Sequence, residues 1–353
     1  MIYLTHCATT YTETPTLIDD IPYPQHAHII QSSFKRAKTG MVYPPHKVLE
    51  SVLSPDIVDY VKQNPVSGKT AFIFAAGNQG WMGTNGRYDQ DPDTELHYKV
   101  KVPFIVLTNI YAGRIASIFG PVDHISTDAT ACASSLKVLM DVQNLINNIG
   151  FDRVIVLSGE DSVNNLTLEF FGEAGASLQH KDEGTTKPSA FDDTNRGFFL
   201  GQGAVLAVFE KAHPDMSEPI AKFLGAYTAS EDNNNPLGQR EDGEGYVKAI
   251  EGALFVAKIR ANMIKVVKTH GTGTDFVATS YKQRIGHTMG ASGLLETGIL
   301  FKDIASGIVP AIANRTEQDS VFLSSDVTAP NGAVLSLAAG MGNAYSAALF
   351  AGV

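Results

Sequence analysis

Apolar residues recur along the chain in two patterns, which predict alternating strands and helices. Short continuous apolar runs are typical of buried strands, and apolar residues at helical spacing are typical of packed helices. The runs predict strands at 2–4, 69–75, 122–126, 153–158, 203–210, 220–227, 264–268, 321–324, 333–338 and 344–350. The helical spacing predicts helices at 47–63 (interrupted near Pro55), 104–119, 132–148, 166–178, 246–259 and 291–305.

The order of these elements indicates an α/β fold with two similar halves. Strands alternate with helices before and again after a polar break at 211–219, which is the pattern of α/β proteins. The residues themselves show no repeat, so the duplication follows from element order alone. We place the halves at residues 1–215 and 216–353. The apolar strands further predict sheets that are covered on both faces.

Composition and charge exclude several classes of function. The chain has 353 residues, 44% of them hydrophobic and 18% charged. This composition is typical of a folded globular protein and excludes a disordered one. Its net charge of −10 argues against nucleic acid as the main partner, because phosphate binding needs a basic face. The first residues lack a signal-peptide pattern and no apolar run approaches a membrane span. We therefore expect a cytoplasmic protein without a membrane span.

Cys132 is a candidate nucleophile because of its place between a predicted strand and a predicted helix. The N-terminal end of a helix favours the thiolate, and its free N–H groups can receive an oxyanion. The alternative interpretation is a small buried residue at a strand-to-helix turn. Cys7, the other cysteine, lies in an apolar strand and is expected in the core. Two cysteines cannot form a disulfide framework.

Two histidines of the second half lie in glycine-rich loops that follow predicted strands. His270 stands in Thr-His-Gly-Thr-Gly-Thr, and His287 stands in Gly-His-Thr-Met-Gly-Ala-Ser-Gly. Glycines permit the backbone to approach a ligand closely. A nucleophilic thiol needs a partner that moves its proton. The combination with Cys132 therefore favours a functional site over three unrelated structural residues.

These motifs resemble those of the β-ketoacyl-acyl-carrier-protein synthases of the elongating type, in the thiolase superfamily. The resemblance runs over nearly the whole chain and rests on the segments 130–135, 269–274 and 286–293, with Lys282 five residues before the second histidine and Glu296 after it. It implies a thiolase-like α/β fold, in which two similar halves stack mixed sheets with helices between and outside them, as αβαβα layers.

The resemblance also implies a reaction. Cys132 would take an acyl group from a carrier-protein thioester, and malonyl-carrier protein would lose carbon dioxide to give an enolate that attacks the acyl-cysteine. His270 and His287 would donate hydrogen bonds to the malonyl thioester oxygen, and Lys282 and Glu296 would form a charge pair. No metal or organic cofactor is expected, since both acyl groups arrive on the phosphopantetheine of a carrier protein.

Further site residues are implied by the same resemblance. The N–H groups of Cys132 and Met341 would hold the oxyanion, with Gly340 and Gly342 forming the flanking turn that gates the site. Apolar side chains near the motifs could line an acyl pocket, although core packing is the better explanation for each of them. These side chains are Leu107, Ile110 and Phe198.

Two departures from the family pattern fall near the expected mouth of the site. Only seven residues separate Thr274 from Lys282, where relatives carry a longer segment with a helix. The final glycine motif reads Gly340-Met341-Gly342-Asn, so a methionine replaces the usual gating phenylalanine. Methionine is the more adaptable side chain. Both departures affect the expected substrate range and activity.

Several alternatives remain open. The chain could be a chain-length-factor subunit, which shapes the pocket of a ketosynthase heterodimer without condensing, although such subunits usually lose the cysteine. A degradative thiolase needs a second cysteine, and none follows Cys132. An initiating synthase would pair the cysteine with one histidine and an asparagine, for which Asn343 is available. The resemblance implies a homodimer or heterodimer that serves a fatty acid, polyketide or polyene pathway of specialised metabolism.

Overall fold

A computed structural model gives the three-dimensional structure of the chain. It describes residues 1–18, 25–28, 36–37, 40–41, 48–49, 51–77, 108–160, 163, 165–179, 188, 191, 197–235, 238–269, 277–315 and 322–352. The described helices are α1 (Pro55–Gln63), α2 (Thr108–Ala116), α3 (Ser134–Asn144), α4 (Asn165–Glu173), α5 (Glu244–Ala257), α6 (Lys282–Ile285) and α7 (Ser292–Ala305). None of the helices in these ranges is long and apolar enough to cross a membrane.

Nine of the described strands correspond to predicted runs, and the other eight, none longer than four residues, were not predicted. They are β1 (Ile2–Thr10), β2 (Pro15–Ile18), β3 (Gln25–His28), β4 (Arg36–Ala37), β5 (Gly40–Met41), β6 (Lys69–Ala75), β7 (His124–Asp128), β8 (Phe151–Glu160), β9 (Leu200–Gly201), β10 (Gly203–Lys211), β11 (Ala221–Ser230), β12 (Ile264–Lys268), β13 (Val277–Thr279), β14 (Ile308–Val309), β15 (Val327–Thr328), β16 (Ala333–Gly340) and β17 (Ala344–Ala351). Short 3-10 turns lie at Ser117–Phe119, Ala131–Ala133, Ala261–Met263 and Met289–Ala291, and a π-helical end at Leu145–Ile149.

The large sheet has a mirrored strand order that reveals the duplication. Its ten strands run β13-β12-β16-β17-β11-β1-β10-β8-β6-β7. Read outward from the centre, the first half is β1-β10-β8-β6-β7 and the second is β11-β17-β16-β12-β13. In each half, the strand that comes last in the chain, β10 or β17, is antiparallel to both of its neighbours. The three strands beyond it in the sheet, β8-β6-β7 or β16-β12-β13, are parallel to one another. Two similar halves therefore meet where β1 pairs with β11.

The helices α3 and α7 lie between the two halves of the sheet. Helix α3 contacts β6 and β8 of its own half and β11, β16 and β17 of the other, while α7 contacts β1 and β10 as well as β12 and β16. Helices α1 and α2 cover the outer face of the first half, and α5 covers that of the second. The layers are therefore αβαβα, as expected for the thiolase-like fold.

Alternating side chains of the strands explain these layers. In β6 the residues Ala71, Ile73 and Ala75 belong to the central core with α3, whereas Phe72 and Phe74 pack beneath α1 and α2. Side chains on successive residues of a strand point to opposite faces, and both faces of this strand are buried. The continuous apolar run of the sequence follows directly from this two-sided burial.

One predicted element differs in the structure. The expected strand at 321–324 is reduced, within the described residues, to a single bridge between Phe322 and Ala278 of the edge strand β13. The backbone leaves the sheet after that bridge because Ser324 and Ser325 form a bend. Conversely, β1 continues to Thr10, well beyond its apolar start, since β10 pairs with it along that length.

Candidate active site

Cys132 lies in a tight turn that opens the central helix α3. Strand β7 ends at Asp128, the 3-10 turn Ala131–Ala133 follows, and α3 begins at Ser134. Ala131 has a left-handed φ of 44°, a strained conformation for a residue with a Cβ atom. The Thr130 N–H donates to Ser134 Oγ at 2.8 Å, and that hydroxyl donates to Ala131 O at 2.7 Å. These bonds hold Cys132 at the N-terminal end of a buried helix.

A second turn of the same kind opens α7 in the other half. The 3-10 turn Met289–Ala291 precedes α7, and Met289 has a φ of 48°. The two turns are fastened together by Ser135, whose hydroxyl donates to Ala291 O at 3.1 Å and accepts from the Leu294 N–H at 3.0 Å. The duplication thus places two helix starts against each other, with the thiol on one of them.

His287 lies against the sulfur of Cys132. Its Nε2 atom is 3.2 Å from Cys132 Sγ and its Nδ1 atom is 3.0 Å from Ser292 Oγ. The His287 N–H donates to Phe199 O at 2.7 Å, which fixes the backbone next to β9. Burial, followed by the positive charge of Lys282, lowers the pKa of His287 to about 3. The imidazole is therefore neutral at physiological pH and shares a hydrogen bond with the thiol.

Behind His287, the carboxylate of Glu296 lies between two lysines. Lys282 Nζ is 2.6 Å from Oε1 and Lys268 Nζ is 3.4 Å from Oε2. Glu296 and Lys268 are completely buried, and Lys282 is 14% exposed. Burial alone would raise the pKa of Glu296, but the charges of Lys268 and Lys282 lower it below its usual value. The structure therefore pairs the two residues singled out in the sequence and adds Lys268, which the motifs did not indicate.

The glycine turn after β16 lies directly over the Cys132 turn. A Cβ atom on Gly340 would be 2.7 Å from Thr130 O and 3.2 Å from Cys132 N. Real Cβ atoms essentially never approach backbone so closely, so only glycine leaves space above the Cys132 amide. Met341 is 37% exposed at the tip of the turn, and Gly342 has a φ of 86° that favours glycine. This arrangement suits the predicted oxyanion role, which stays a prediction.

Cys132 also belongs to a small apolar cluster that continues away from the histidine. Its buried members are Ala27, Cys132, Val163, Leu168, Phe171, Leu200 and Met289. Phe198 packs on this cluster, with its ring edge-to-face on His287 at 5.0 Å and on Phe171 at 5.6 Å. Phe198 therefore lies between His287 and this cluster, and its role in an acyl pocket stays a prediction. No sequence pattern marked Val163, Leu168 or Phe171, and the spacing of Leu168 and Phe171 indicates only the core side of a helix.

Three residues expected at the site cannot be placed. His270 and Leu107 lie outside the described residues, and the side chain of Ile110 is likewise outside them. The strand β12 ends two residues before His270, and Thr269 is buried with its N–H donating to Thr279 O at 3.0 Å. Over the ranges that the structure covers, no three carboxylate, imidazole or thiol groups are gathered as a metal site would need.

The fold and the site define the class of the protein: a duplicated thiolase-like α/β fold with a thiol–imidazole pair where the two halves meet. The family model described as "Beta-ketoacyl synthase, N-terminal domain" matches residues 59–214, and the one described as "Beta-ketoacyl synthase, C-terminal domain" matches residues 220–278. The chain belongs to the β-ketoacyl synthase family.

Curated relatives match over part of their length. The tetracenomycin polyketide synthase ketoacyl synthase alpha subunit of Streptomyces glaucescens is 28% identical over 66% of this chain and 60% of its own. The chloroplastic 3-oxoacyl-[acyl-carrier-protein] synthase II of Arabidopsis thaliana is 28% identical over 73% of this chain and 52% of its own. The chain thus spans little more than half the length of the curated relatives it matches.

Solved structures share the fold. The structure of "the ishigamide ketosynthase/chain length factor" has a TM-score of 0.75 at 16% identity and covers 100% of this chain and 99% of that one. A second is a type II polyketide synthase acyl-carrier protein in complex with its ketosynthase, with a TM-score of 0.74 at 16% identity and the same coverage. At these identities the likeness shows the fold.

Proposed function

We propose that the chain is a β-ketoacyl-acyl-carrier-protein synthase that joins an acyl group to a malonyl unit. The observation that carries the proposal is the 3.2 Å contact between Cys132 Sγ and His287 Nε2, at the start of a buried helix. A chain that served only as scaffold would have no need of a thiol and a neutral imidazole in this contact. The halves, residues 1–215 and 216–353, would each supply one of the two groups.

The first step transfers an acyl group to the enzyme. The start of α3 favours the Cys132 thiolate, whose proton passes to solvent, and the sulfur attacks the carbonyl carbon of the incoming thioester. The carrier's thiolate leaves, takes up a proton and departs as a free thiol, so a thioester is exchanged for a thioester. The α3 N-terminus and the backbone N–H groups under Gly340 stabilise the negative oxygen of the tetrahedral intermediate.

The second step forms the carbon–carbon bond. Malonyl thioester loses carbon dioxide, and the electron pair of the broken bond becomes an enolate whose oxygen accepts hydrogen bonds from His287 and, as predicted from its motif, His270. The enolate carbon attacks the acyl carbonyl on Cys132, and the Cys132 thiolate leaves. The product is a 3-ketoacyl thioester two carbons longer than the acyl group.

The carrier and the partner subunit follow from the same proposal. Both substrates would arrive on phosphopantetheine arms of an acyl-carrier protein, as in the similar carrier-protein complex. A dimer is expected, with an identical or a second ketosynthase-like subunit.

The acyl pocket would begin at Phe198 and Phe171, whose edge-to-face rings close one side of the cluster around Cys132. A cytoplasmic location stays a prediction.

A chain-length-factor role is the second candidate, favoured by the short connection before Lys282 and by Met341. The connection from β12 to α6 has thirteen residues, 269–281, and its described part contains the edge strand β13, so little chain lies there to shape a substrate channel. The contact of Cys132 with His287 weighs against this role, because a non-condensing subunit has no use for it.

The proposal is tested by intact-mass measurement after incubation with acyl-loaded carrier protein. We expect one acyl adduct on the wild-type chain, the same adduct on Cys7→Ala and none on Cys132→Ala. Cys7 is the matched control because it is the second cysteine, and burial raises the pKa of its thiol to about 12. An adduct that persists in Cys132→Ala, or a wild type that stays unmodified alone and with a ketosynthase-like partner, contradicts the proposal.

A further inference from the structure

Lys268 is the one member of the buried charge cluster that the motifs leave without a role. It ends strand β12, and its side chain is 0% exposed. Its Nζ atom donates to Leu337 O at 2.6 Å and lies 3.4 Å from Glu296 Oε2. A lysine is almost never fully buried unless it is paired, so its position at the end of a core strand requires an explanation beyond packing.

The contacts of Lys268 join the three segments that carry the candidate site. Its own strand β12 leads into His270, two residues further along. Leu337 lies on β16, which ends at Gly340 above the Cys132 amide. Glu296 lies on α7, one turn after the start of the helix that follows His287. A single side chain thus joins the end of β12, the strand that leads to the glycine turn and the helix that follows His287.

The cluster also carries an excess of positive charge. Lys268 and Lys282 contribute two positive charges and Glu296 one negative charge, so the three together carry one net positive charge behind His287. One lysine would suffice to neutralise the carboxylate. The charges of Lys268, Lys282 and Glu296 all act on His287, and a buried charge acts strongly because little water screens it.

We infer that Lys268 is a positioning residue of the active site, which holds the ends of β12 and β16 and the first turns of α7 in register and supplies the surplus positive charge that favours the thiolate of Cys132 and the enolate. The inference about the enolate rests on the proposed function, and the inference about the thiolate does not. Lys268 touches no substrate and acts through Glu296, Leu337 and the field around His287.

This role makes the site sensitive to pH in a range where His287 does not titrate. Burial, partly offset by the charge of Glu296, lowers the pKa of Lys268 to about 8. Among the described groups, Glu296, Lys282 and His287 are those whose charges couple to it. The surplus charge is therefore present below pH 8 and is lost above it, so the decarboxylation step slows as the pH rises through that value.

The test compares Lys268→Met and Lys268→Gln with Lys265→Met, a control on the same strand but away from the cluster. Glu296 keeps Lys282 as its partner in each variant, so no buried charge is left alone and folding is expected. The first readout is alkylation of Cys132 by iodoacetamide against pH. Both Lys268 variants should shift the midpoint upward by about one pH unit, because a nearby positive charge is removed, and Lys265→Met should not shift it.

The second readout is decarboxylation of malonyl-carrier protein by the pre-acylated enzyme. Wild type and Lys265→Met should lose rate above pH 8, whereas Lys268→Met and Lys268→Gln should be slower by about tenfold at pH 7, with no fall near pH 8. An alkylation midpoint at the wild-type pH in both Lys268 variants overturns the inference. So does full rescue by Lys268→Gln, which would reduce the role to a hydrogen bond. Failure of the wild type to be acylated would instead count against the proposed function and leaves the alkylation test decisive.

Discussion

Replacing Gly340 with alanine tests whether the space above Cys132 is an oxyanion site. The added methyl group would start 2.7 Å from Thr130 O, 3.1 Å from Ala133 N and 3.2 Å from Cys132 N. Favourable contacts of a carbon atom lie near 3.5–4.0 Å, so the methyl group or the turn must move by about 0.5–1 Å. All three neighbours are backbone atoms of a hydrogen-bonded turn, which cannot swing aside as a side chain would.

The expected loss follows from that geometry. Either the methyl group fills the space of the substrate oxygen, or the Cys132 amide turns away from it, and losing one oxyanion donor costs about 10²–10³ in rate, or about 3–4 kcal/mol of transition-state stabilisation. Overpacking should also lower the free energy of unfolding by about 1–3 kcal/mol. Alkylation by iodoacetamide needs the thiolate but no oxyanion site, so it should fall far less than acylation.

The assay is the rate of acyl transfer to the thiol, measured by intact mass beside the alkylation rate. Gly342→Asn is the control in the same turn, because a Cβ atom there meets nothing within 4 Å and asparagine enters the left-handed region more readily than most residues with a side chain. Wild-type acylation in Gly340→Ala would refute the reasoning. An equal loss in Gly342→Asn would show that flexibility of the turn matters and that the space above Cys132 does not.

Four further predictions follow from contacts of the described residues. Glu210→Gln removes the carboxylate that pairs with the buried guanidinium of Arg153 at 2.7 Å. Denaturant titrations should show a free energy of unfolding lower by about 3–5 kcal/mol. An unchanged free energy of unfolding would contradict a stabilising ion pair. Glu296→Gln leaves two lysines without a counter-charge and should destabilise the protein more than Lys268→Met does, as thermal unfolding would show. The pKa of His287 is about 3 in the folded protein against 6.5 in the unfolded chain, so its neutral form stabilises the fold above pH 6.5. As the pH falls below that value, the free energy of unfolding should decrease by about 1.4 kcal/mol per pH unit. This dependence on pH should be weaker in His287→Gln. Phe198→Ala should let longer acyl groups react with Cys132 in a competition between carrier-bound chains, and an unchanged preference would place the acyl pocket elsewhere.

The sequence predicted the fold through its strands and the site through its motifs. Cys132 and His287 are separated by 155 residues, yet each is marked by its own local pattern: a strand followed by a helix start for the thiol, and a glycine-rich loop for the imidazole. Local patterns of this kind can be recognised without knowing what lies across from them. Lys282 and Glu296 were indicated by the family resemblance, because they stand where the family carries a lysine and a glutamate relative to the second histidine.

Lys268 could not be predicted because its role depends on distant partners. In the sequence it is a charged residue at the end of an apolar run, which is typical of a strand that emerges into solvent. Its burial arises only because Glu296 on α7 and the Leu337 carbonyl on β16 converge on the same point. The mirrored strand order is hidden for a similar reason, since the two halves share element order and hydrogen-bonding pattern but no repeated residues.

The apolar cluster shows a third limit. Phe171 lies in a predicted helix in which every apolar residue could equally face the core, so periodicity gives no reason to choose it. The structure selects it through the ring of Phe198, which contacts both Phe171 and His287. Which apolar side chains border a catalytic thiol is decided by packing between halves of the molecule.

Cys132 and His287 form the proposed condensing site, and analysis of the carrier-bound product tests this function most directly. Enzyme carrying an acyl group on Cys132 is mixed with malonyl-carrier protein, and the carrier-bound product is measured by mass. We predict that the carrier protein then holds a 3-ketoacyl group two carbons longer than the starting acyl group and that the thiol of Cys132 is free. Retention of the acyl group on Cys132 while malonyl-carrier protein is unchanged, or is converted only to acetyl-carrier protein, would contradict it.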